Sequence, residues 1–283
     1  MYNEYQITYT AQNTYEHWVD KAYWQFMVIP WEDNSQKNVQ VAFENSMHFP
    51  MEFSHNGYGF RTLRCHSVDP FKEITFKAKF SFLKMEDNPF SFVPNASISW
   101  EYEQLAQLTH KVDFDQFLKR TNLTHLPSPA ASLFTFDGEQ SIFDNLLALN
   151  GWIFDQIYYT PGATDVHTTL KEVLDMRKGV CQDFTHLFCA IAKDHGVPAR
   201  YVSGYLNQDG GFFGDTQMHA WAEAHIPGVG WKGFDPTNNI LANANHVKVC
   251  HGKDYTDCAP LKGILFGQGE NTTTHSVSVH SQQ

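Results

Sequence analysis

The sequence predicts an α+β protein in two parts, an antiparallel β-sandwich followed by a mixed α+β domain. Three observations point there. Apolar and polar residues alternate with a period of two through residue 84, the apolar period lengthens toward 3.6 after a proline-bearing break, and a glycine-bounded helix then precedes a run of short strands.

Tyr5–Tyr9, Asn38–Phe43 and Glu73–Phe82 carry the alternation and are rich in β-branched and aromatic side chains. Pro30, Pro50, Gly57-Tyr58-Gly59 and Asp69-Pro70 interrupt them as turns would, so residues 1–84 are expected to form the sandwich. Trp18, Tyr23, Trp24, Phe26 and Trp31 are expected in its core, because aromatic side chains bury the most area. Met85 through Pro94-Asn95 reads as a linker. Beyond it, Leu105, Leu108, Val112, Phe114, Phe117 and Leu118, then Ile142, Phe143, Leu146, Leu147, Leu149, Ile153 and Phe154, predict two helices. One more helix and strands at Ala199–Gly204, His219–Ile226 and Trp231–Phe234 complete a second domain placed at 95–266, its core at 150–240. In 267–283 the alternation His275-Ser276-Val277-Ser278-Val279-His280 predicts a tail or an edge strand returning to the first domain.

Composition removes several classes of function. With 20 Lys and Arg against 31 Asp and Glu the net charge is −11, a sign that repels a phosphate backbone, so no nucleic-acid partner is expected. Hydrophobic residues at 42% and aromatics at 15% exclude a disordered chain. No apolar run reaches the roughly 18 residues of a membrane span, and residues 1–10 lack a basic segment and an apolar segment of the secretory kind, so a cytoplasmic location is expected. Five cysteines, Cys65, Cys181, Cys189, Cys250 and Cys258, cannot all pair with one another.

One of these thiols stands in a chemically suggestive place. In Gly179-Val180-Cys181-Gln182-Asp183-Phe184, the apolar positions Val180, Phe184, Leu187, Phe188 and Ile191 fall on one helical face, and Gly196-Val197-Pro198 stops the helix. Cys181 thus lies in the first turn, where the helix dipole favours thiolate, the nucleophilic form. Alone it would read as one more buried small hydrophobe. Its company changes that: His219 opens a strand in His219-Ala220-Trp221, and Asp235 closes the next in Gly233-Phe234-Asp235-Pro236-Thr237. A thiol at a helix start, an imidazole on an adjacent strand and a carboxylate holding the far side of that imidazole make a nucleophilic triad. Taken singly, His219 reads as a strand histidine and Asp235 as a turn former.

The segments Gly179–Phe184, Gly196–Tyr205, His219-Ala220-Trp221 and Gly233–Asn238, in that order, resemble the core of the bacterial transglutaminase-like superfamily. The strands before them resemble the β domain of bacterial members, and His246-Val247-Lys248-Val249 with Gly252–Pro260 resembles their C-terminal segment. The resemblance implies a papain-like, transglutaminase-like fold with Cys181 as nucleophile, His219 as general base and acid, and Asp235 as its orienting carboxylate. Ala222 and Ala224 stand where bulkier apolar residues are common in that strand, a departure remote from the chemistry. An acyl-enzyme also needs oxyanion donors. The Cys181 backbone N–H is the first, and Trp152, Gln156 and Tyr159 are the candidates for the second. Gln182 is expected to pack beside the nucleophile, and Asp183 to serve the helix dipole.

These residues predict a thiol hydrolase, a cysteine peptidase or amidase acting on a protein or peptide through an acyl-enzyme thioester. A transglutaminase using an amine acceptor shares every residue up to the thioester and is the alternative, since no amine-shielding tunnel is legible in the sequence. A non-catalytic peptide-binding scaffold would have no physical need of all three triad side chains. No cofactor is implied. A metal site is disfavoured, because Cys181 and His186 lie five apart on a helix and so point to different faces, and Cys250-His251 with Cys258 fits no zinc spacing.

Overall fold

The computed structural model describes residues 2–86, 88–92, 97–208 and 211–282, so the Pro94-Asn95 end of the expected linker lies outside the described residues. Strands β1 (Tyr2–Phe26), β2 (Gln36–Asn45), β3 (Met51–His55), β4 (Arg61–His66) and β5 (Phe71–Met85) form one antiparallel sheet in the order β2-β5-β1-β4-β3. The order follows from the length of β1. Over its first half it pairs with β5, and over its second half, past a register shift between Thr14 and Val19, it pairs with β4. That irregularity bends the strand. The sheet doubles over its own apolar face: Phe76 lies opposite Ala11 in the ladder, yet its ring packs 4.6 Å from that of Phe26, fifteen positions further along β1.

The alternation read from the sequence is what fills this core. Tyr5, Ile7, Tyr9 and Ala11 on β1 and Ile74, Phe76, Ala78, Phe80 and Phe82 on β5 all point inward. Alternation, with its phase reversed at the irregularity of β1 between Val19 and Lys21, divides the aromatic cluster that the sequence assigned to the core. Trp24 and Phe26 are buried and Trp31 packs against Phe60, whereas Trp18 is 64% exposed and Tyr23 43% exposed, on the outer side of the strand.

Helices α1 (Ile98–Ala106), α2 (Leu108–Asp113) and α3 (Asp115–Leu118) take the place of the first single helix expected, because Gln107 and Phe114 break the helical backbone between them. Next come α4 (Ile142–Gln156), β6 (Tyr158–Tyr159), α5 (Leu170–Met176), β7 (Lys178–Gly179) and α6 (Cys181–Asp194). Strands β8 (Ala199–Leu206), β9 (His219–Ile226), β10 (Gly230–Asp235), β11 (Ile240–Leu241) and β12 (His246–Gly252) make a second antiparallel sheet in the order β11-β10-β9-β8-β12. Helix α6 packs on this sheet beneath α4 and α5. It is buried on every side from Gln182 to Lys193, not on the single face its apolar pattern predicts, because sheet and helices enclose it.

After α7 (Tyr255–Cys258) the chain re-enters the first sheet. Strands β13 (Leu261–Gly267) and β14 (Asn271–Gln282) both pair with β1, on the side opposite β5 and β4. Residues 261–266, which the sequence reading grouped with the second domain, therefore belong to the first sheet. From Lys262 onward every position of β13 is exposed, so apolar pattern alone did not assign them. The two sheets also share one core, in which Phe80 faces Tyr205 and the Tyr205 hydroxyl donates to Val28 O at 2.5 Å. Gln36 ties them further, donating to Lys248 O at 2.9 Å and accepting from Lys248 N at 2.8 Å.

Candidate functional site

Cys181 is the first residue of α6, and the turn before it is built around Asp183. The Asp183 carboxylate reaches back to accept from Val180 N at 2.8 Å and from Thr164 Oγ1 at 2.6 Å. Burial pushes its pKa up, against the pull of these hydrogen bonds. A Cβ at position 179 would stand 2.8 Å from that carboxylate, so only Gly179 allows the tight approach. Asp183 is thus the clamp of the nucleophile turn as well as an acid at the positive helix end. Gln182 packs beside it, donating to Asp165 O at 3.4 Å. Cys181 is partly exposed, while the other four cysteines are buried and all five are unpaired.

His219 opens β9 and Asp235 ends β10, which places the two side chains at one end of the second sheet. His219 Nε2 meets Asp235 Oδ2 at 2.8 Å, both side chains wholly buried. Burial acts to lower the His219 pKa, but Asp235 and the adjacent Cys181 side chain outweigh it and the pKa is pushed up to about 10. Burial conversely acts to raise the Asp235 pKa, and His219 and His246 overcome it, holding the carboxyl well below the usual range. The carboxylate is saturated with donors. Oδ1 accepts from Thr237 N at 3.0 Å and Asn238 N at 3.3 Å, and Oδ2 from Asn238 Nδ2 at 2.9 Å as well as from His219. The three residues singled out in the sequence are therefore brought together.

A fourth was missed. His246, the first residue of β12, places Nε2 3.2 Å from the same Asp235 Oδ2. Trp221 packs against both imidazoles, and it fits only because position 204 is glycine: a Cβ there would stand 2.6 Å from the indole and 2.1 Å from Val247 O. Among the described residues, His219, Asp235 and His246 form the one cluster of metal-ligand type. Their contacts at 2.8 and 3.2 Å are hydrogen-bond distances, and the carboxylate oxygens already take backbone and amide N–H donors, so hydrogen bonding accounts for the cluster.

Of the three side chains considered for the oxyanion, Tyr159 stands near the thiol. It pairs with Gly179 through β6 and β7, and its pKa is raised by burial first and then by Cys181. Trp152 instead packs on Phe134 in the helical core, and Gln156 sits on the last turn of α4. On its other side Tyr159 meets Phe213, centroids 5.0 Å apart. The Phe213 backbone is held by Asn238, which accepts from Phe213 N at 2.8 Å and donates to Phe213 O at 3.3 Å. The backbone of Gly214, at φ +86°, lies so close to His219 that a Cβ would reach Nδ1 at 2.8 Å.

Comparison with known proteins bears on the fold that carries these residues. Residues 133–236 match the family model of the transglutaminase-like superfamily. This segment is transglutaminase-like. A protein of Mycobacterium leprae is 35% identical over 190 residues, covering 63% of this chain and 65% of the relative, so that match spans just under two thirds of the relative's length. One from Mycobacterium bovis is 28% identical over 285 residues, covering 95% of this chain and 90% of the relative. A solved structure from Cytophaga hutchinsonii, described as a candidate cysteine protease, superposes with a TM-score of 0.78 at 20% identity over 100% of this chain and 92% of its own, a likeness of fold. The transglutaminase-like segment ends at the strand that delivers Asp235, so His246 and the returning strands β13 and β14 lie beyond it.

Proposed function

We propose that this transglutaminase-like protein is a thiol-dependent acyl hydrolase, a cysteine peptidase or amidase whose substrate is a protein or peptide. The observation that carries the reading is the buried His219–Asp235 pair with the Cys181 side chain against its imidazole. An imidazole whose charged form is favoured, beside a thiol at a helix start, suits a thiolate–imidazolium pair. In the proposed cycle Cys181 Sγ attacks the scissile carbonyl and the tetrahedral oxyanion is held by the Cys181 N–H and the Tyr159 hydroxyl. His219 then gives its proton to the leaving amine, producing the thioester. Water attacks that thioester with His219 as base, and the acid product leaves with the thiol restored. Asp235, locked by its backbone and amide donors, keeps Nε2 engaged so that the opposite nitrogen faces the reaction.

A cavity of about 190 Å³ adjoins this site, lined by Met218, Gln217 and Tyr255 and by Tyr9, Leu261 and His275 of the first sheet. Met218 directly precedes His219, so the first sheet supplies wall to the region where a substrate would lie. Hydrolysis is preferred to amine transfer in line with the C. hutchinsonii protein's description. The test is a product assay on the full chain with casein. New amino termini or free ammonia, without incorporation of a fluorescent cadaverine, support the hydrolase. Covalent attachment of cadaverine to glutamine side chains would make the protein a transglutaminase with the same three residues.

A further inference from the structure

We infer that His246 is a positioning residue for Asp235: a neutral imidazole, protonated at Nε2, that occupies part of Oδ2 and thereby limits how strongly the carboxylate pulls on His219. The inference rests on the proposed roles of Asp235 and His219.

The tautomer follows from the contacts. His246 Nδ1 accepts a hydrogen bond from Asn243 N at 3.2 Å, and a ring nitrogen that accepts carries no proton. The proton must then be on Nε2, which faces Asp235 Oδ2 at 3.2 Å. The turn that presents the Asn243 N–H is itself fixed, since His246 N donates to Asn243 O at 3.0 Å and Asn245 N to Asn243 Oδ1 at 2.9 Å. The ring is 2% exposed and stands edge-on to Trp221, its centroid 6.2 Å from that of His219. The charged and titratable groups facing it are Asp235 from β10, His219 from β9 and Lys84 from β5. Burial is the largest influence and keeps the ring neutral, and His219 and Lys84 add to it against the opposing pull of Asp235.

One carboxylate oxygen therefore receives N–H groups from two imidazoles with different tasks. The His219 N–H must survive a change of charge in each proposed cycle, whereas that of His246 is fixed by Asn243. An N–H dipole with its positive end on Oδ2 weakens the negative potential felt at His219. Removing it should strengthen the hold of Asp235 on His219 and raise the His219 pKa, making the histidine a poorer acid toward the leaving group. A residue that only filled space would leave that titration alone.

The experiment uses the full chain labelled with ¹⁵N-histidine. Ring-nitrogen resonances are followed from pH 5 upward and assigned with His219→Gln and His246→Phe. The expected result is His246 neutral at pH 7 with its proton on Nε2, and a His219 titration shifted upward by about one unit in His246→Phe. His246→Gln, which retains an N–H, should restore most of the wild-type titration. With a turned-over substrate, kcat should fall about fivefold to tenfold in His246→Phe at unchanged KM, the loss of one hydrogen bond's worth of orientation. A proton on Nδ1, a cationic His246 at pH 7, or a His219 titration identical in wild type and His246→Phe would overturn the inference. Should His246→Phe fail to fold, the tautomer in the wild-type protein decides alone. The expected resonances in a protein that turns over no acyl substrate would sustain the inference and sink the functional reading instead.

Discussion

The two sheets bury different kinds of side chain. On the inner face of the first, Ile7, Tyr9, Ile74, Phe76 and Phe80 follow one another at alternate positions, and closure needs little beyond apolar area. On β9 of the second, His219, Trp221 and Glu223 occupy alternate positions of one strand face. Burying ionisable groups costs several kcal/mol each unless they are paired, so the second sheet carries two compensated clusters with Trp221 between them. One is His219, Asp235 and His246. The other is Glu223, bonded to Arg200 at 2.6 Å and Lys248 at 2.7 Å, with Arg200 stacked 3.9 Å over Trp231. Burial acts to raise the Glu223 pKa, and Lys248 and Arg200 reverse it to about 2. Both clusters are closed ion networks. They differ in that only the first has the Cys181 thiol beside it.

That difference can be broken by substitution. The largest effect is expected from Cys181→Ala, which should lower turnover by at least about 10³-fold, as loss of a nucleophile does, and leave the urea midpoint unchanged because the side chain is only partly buried. Asp235→Asn should cost turnover about 10²- to 10⁴-fold per folded molecule, measured as kcat beside a circular-dichroism melt. Glu223→Gln should do the reverse. It leaves the part-buried Arg200 and Lys248 without the carboxylate that pairs with both and should destabilise by about 1–3 kcal/mol in urea unfolding, with kcat per folded molecule within about twofold of wild type. If Glu223→Gln lowered kcat as Asp235→Asn does, the division of labour between the clusters would be wrong.

Acid should act on the packing of α6 against α7. His186 is buried, accepts from Tyr255 N at 3.1 Å, and burial lowers its pKa from 6.5 to about 3. In the unfolded chain it binds its proton near pH 6.5, so its contribution to stability is intact above that value. It is lost as pH falls toward 3, at up to about 1.4 kcal/mol per pH unit. Urea unfolding at pH 7 and pH 5 should show the drop, and His186→Gln should make it smaller, leaving the shares of His225 and His251, which burial lowers to about 4 and about 3.

Legibility in the sequence followed the same divide. The first sheet's strands were readable because a half-buried strand alternates, Cys181 and Asp235 because Gly179 and Pro236 mark the element ends they sit on, and His219 because it opens the strand His219-Ala220-Trp221 between them. The partition of the chain was less so. The return of β14 to the first sheet was expected from its alternation, but β13 pairs with β1 as well, across more than two hundred residues, and no local signal specifies a partner at that distance. His246 escaped for a related reason. It reaches Asp235 from β12, with β8 and β9 lying between β12 and β10 in the sheet, so only the sheet order brings the two together. In sequence, the alternation His246-Val247-Lys248-Val249 fits a solvated strand face equally well. The exposed Trp18 teaches the converse, that aromatic clustering along the chain does not decide which face of a strand each ring takes.

The central claim, that Cys181 takes up an acyl group with His219 as its proton partner, is tested most directly by intact-mass spectrometry after brief exposure to an activated acyl ester at neutral pH. The account predicts one added acyl group, mapped by peptide analysis to Cys181, absent in Cys181→Ala and formed far more slowly in His219→Ala. Acylation of Cys65, Cys189, Cys250 or Cys258 in the folded protein, or a His219→Ala variant acylated at the wild-type rate, would contradict it.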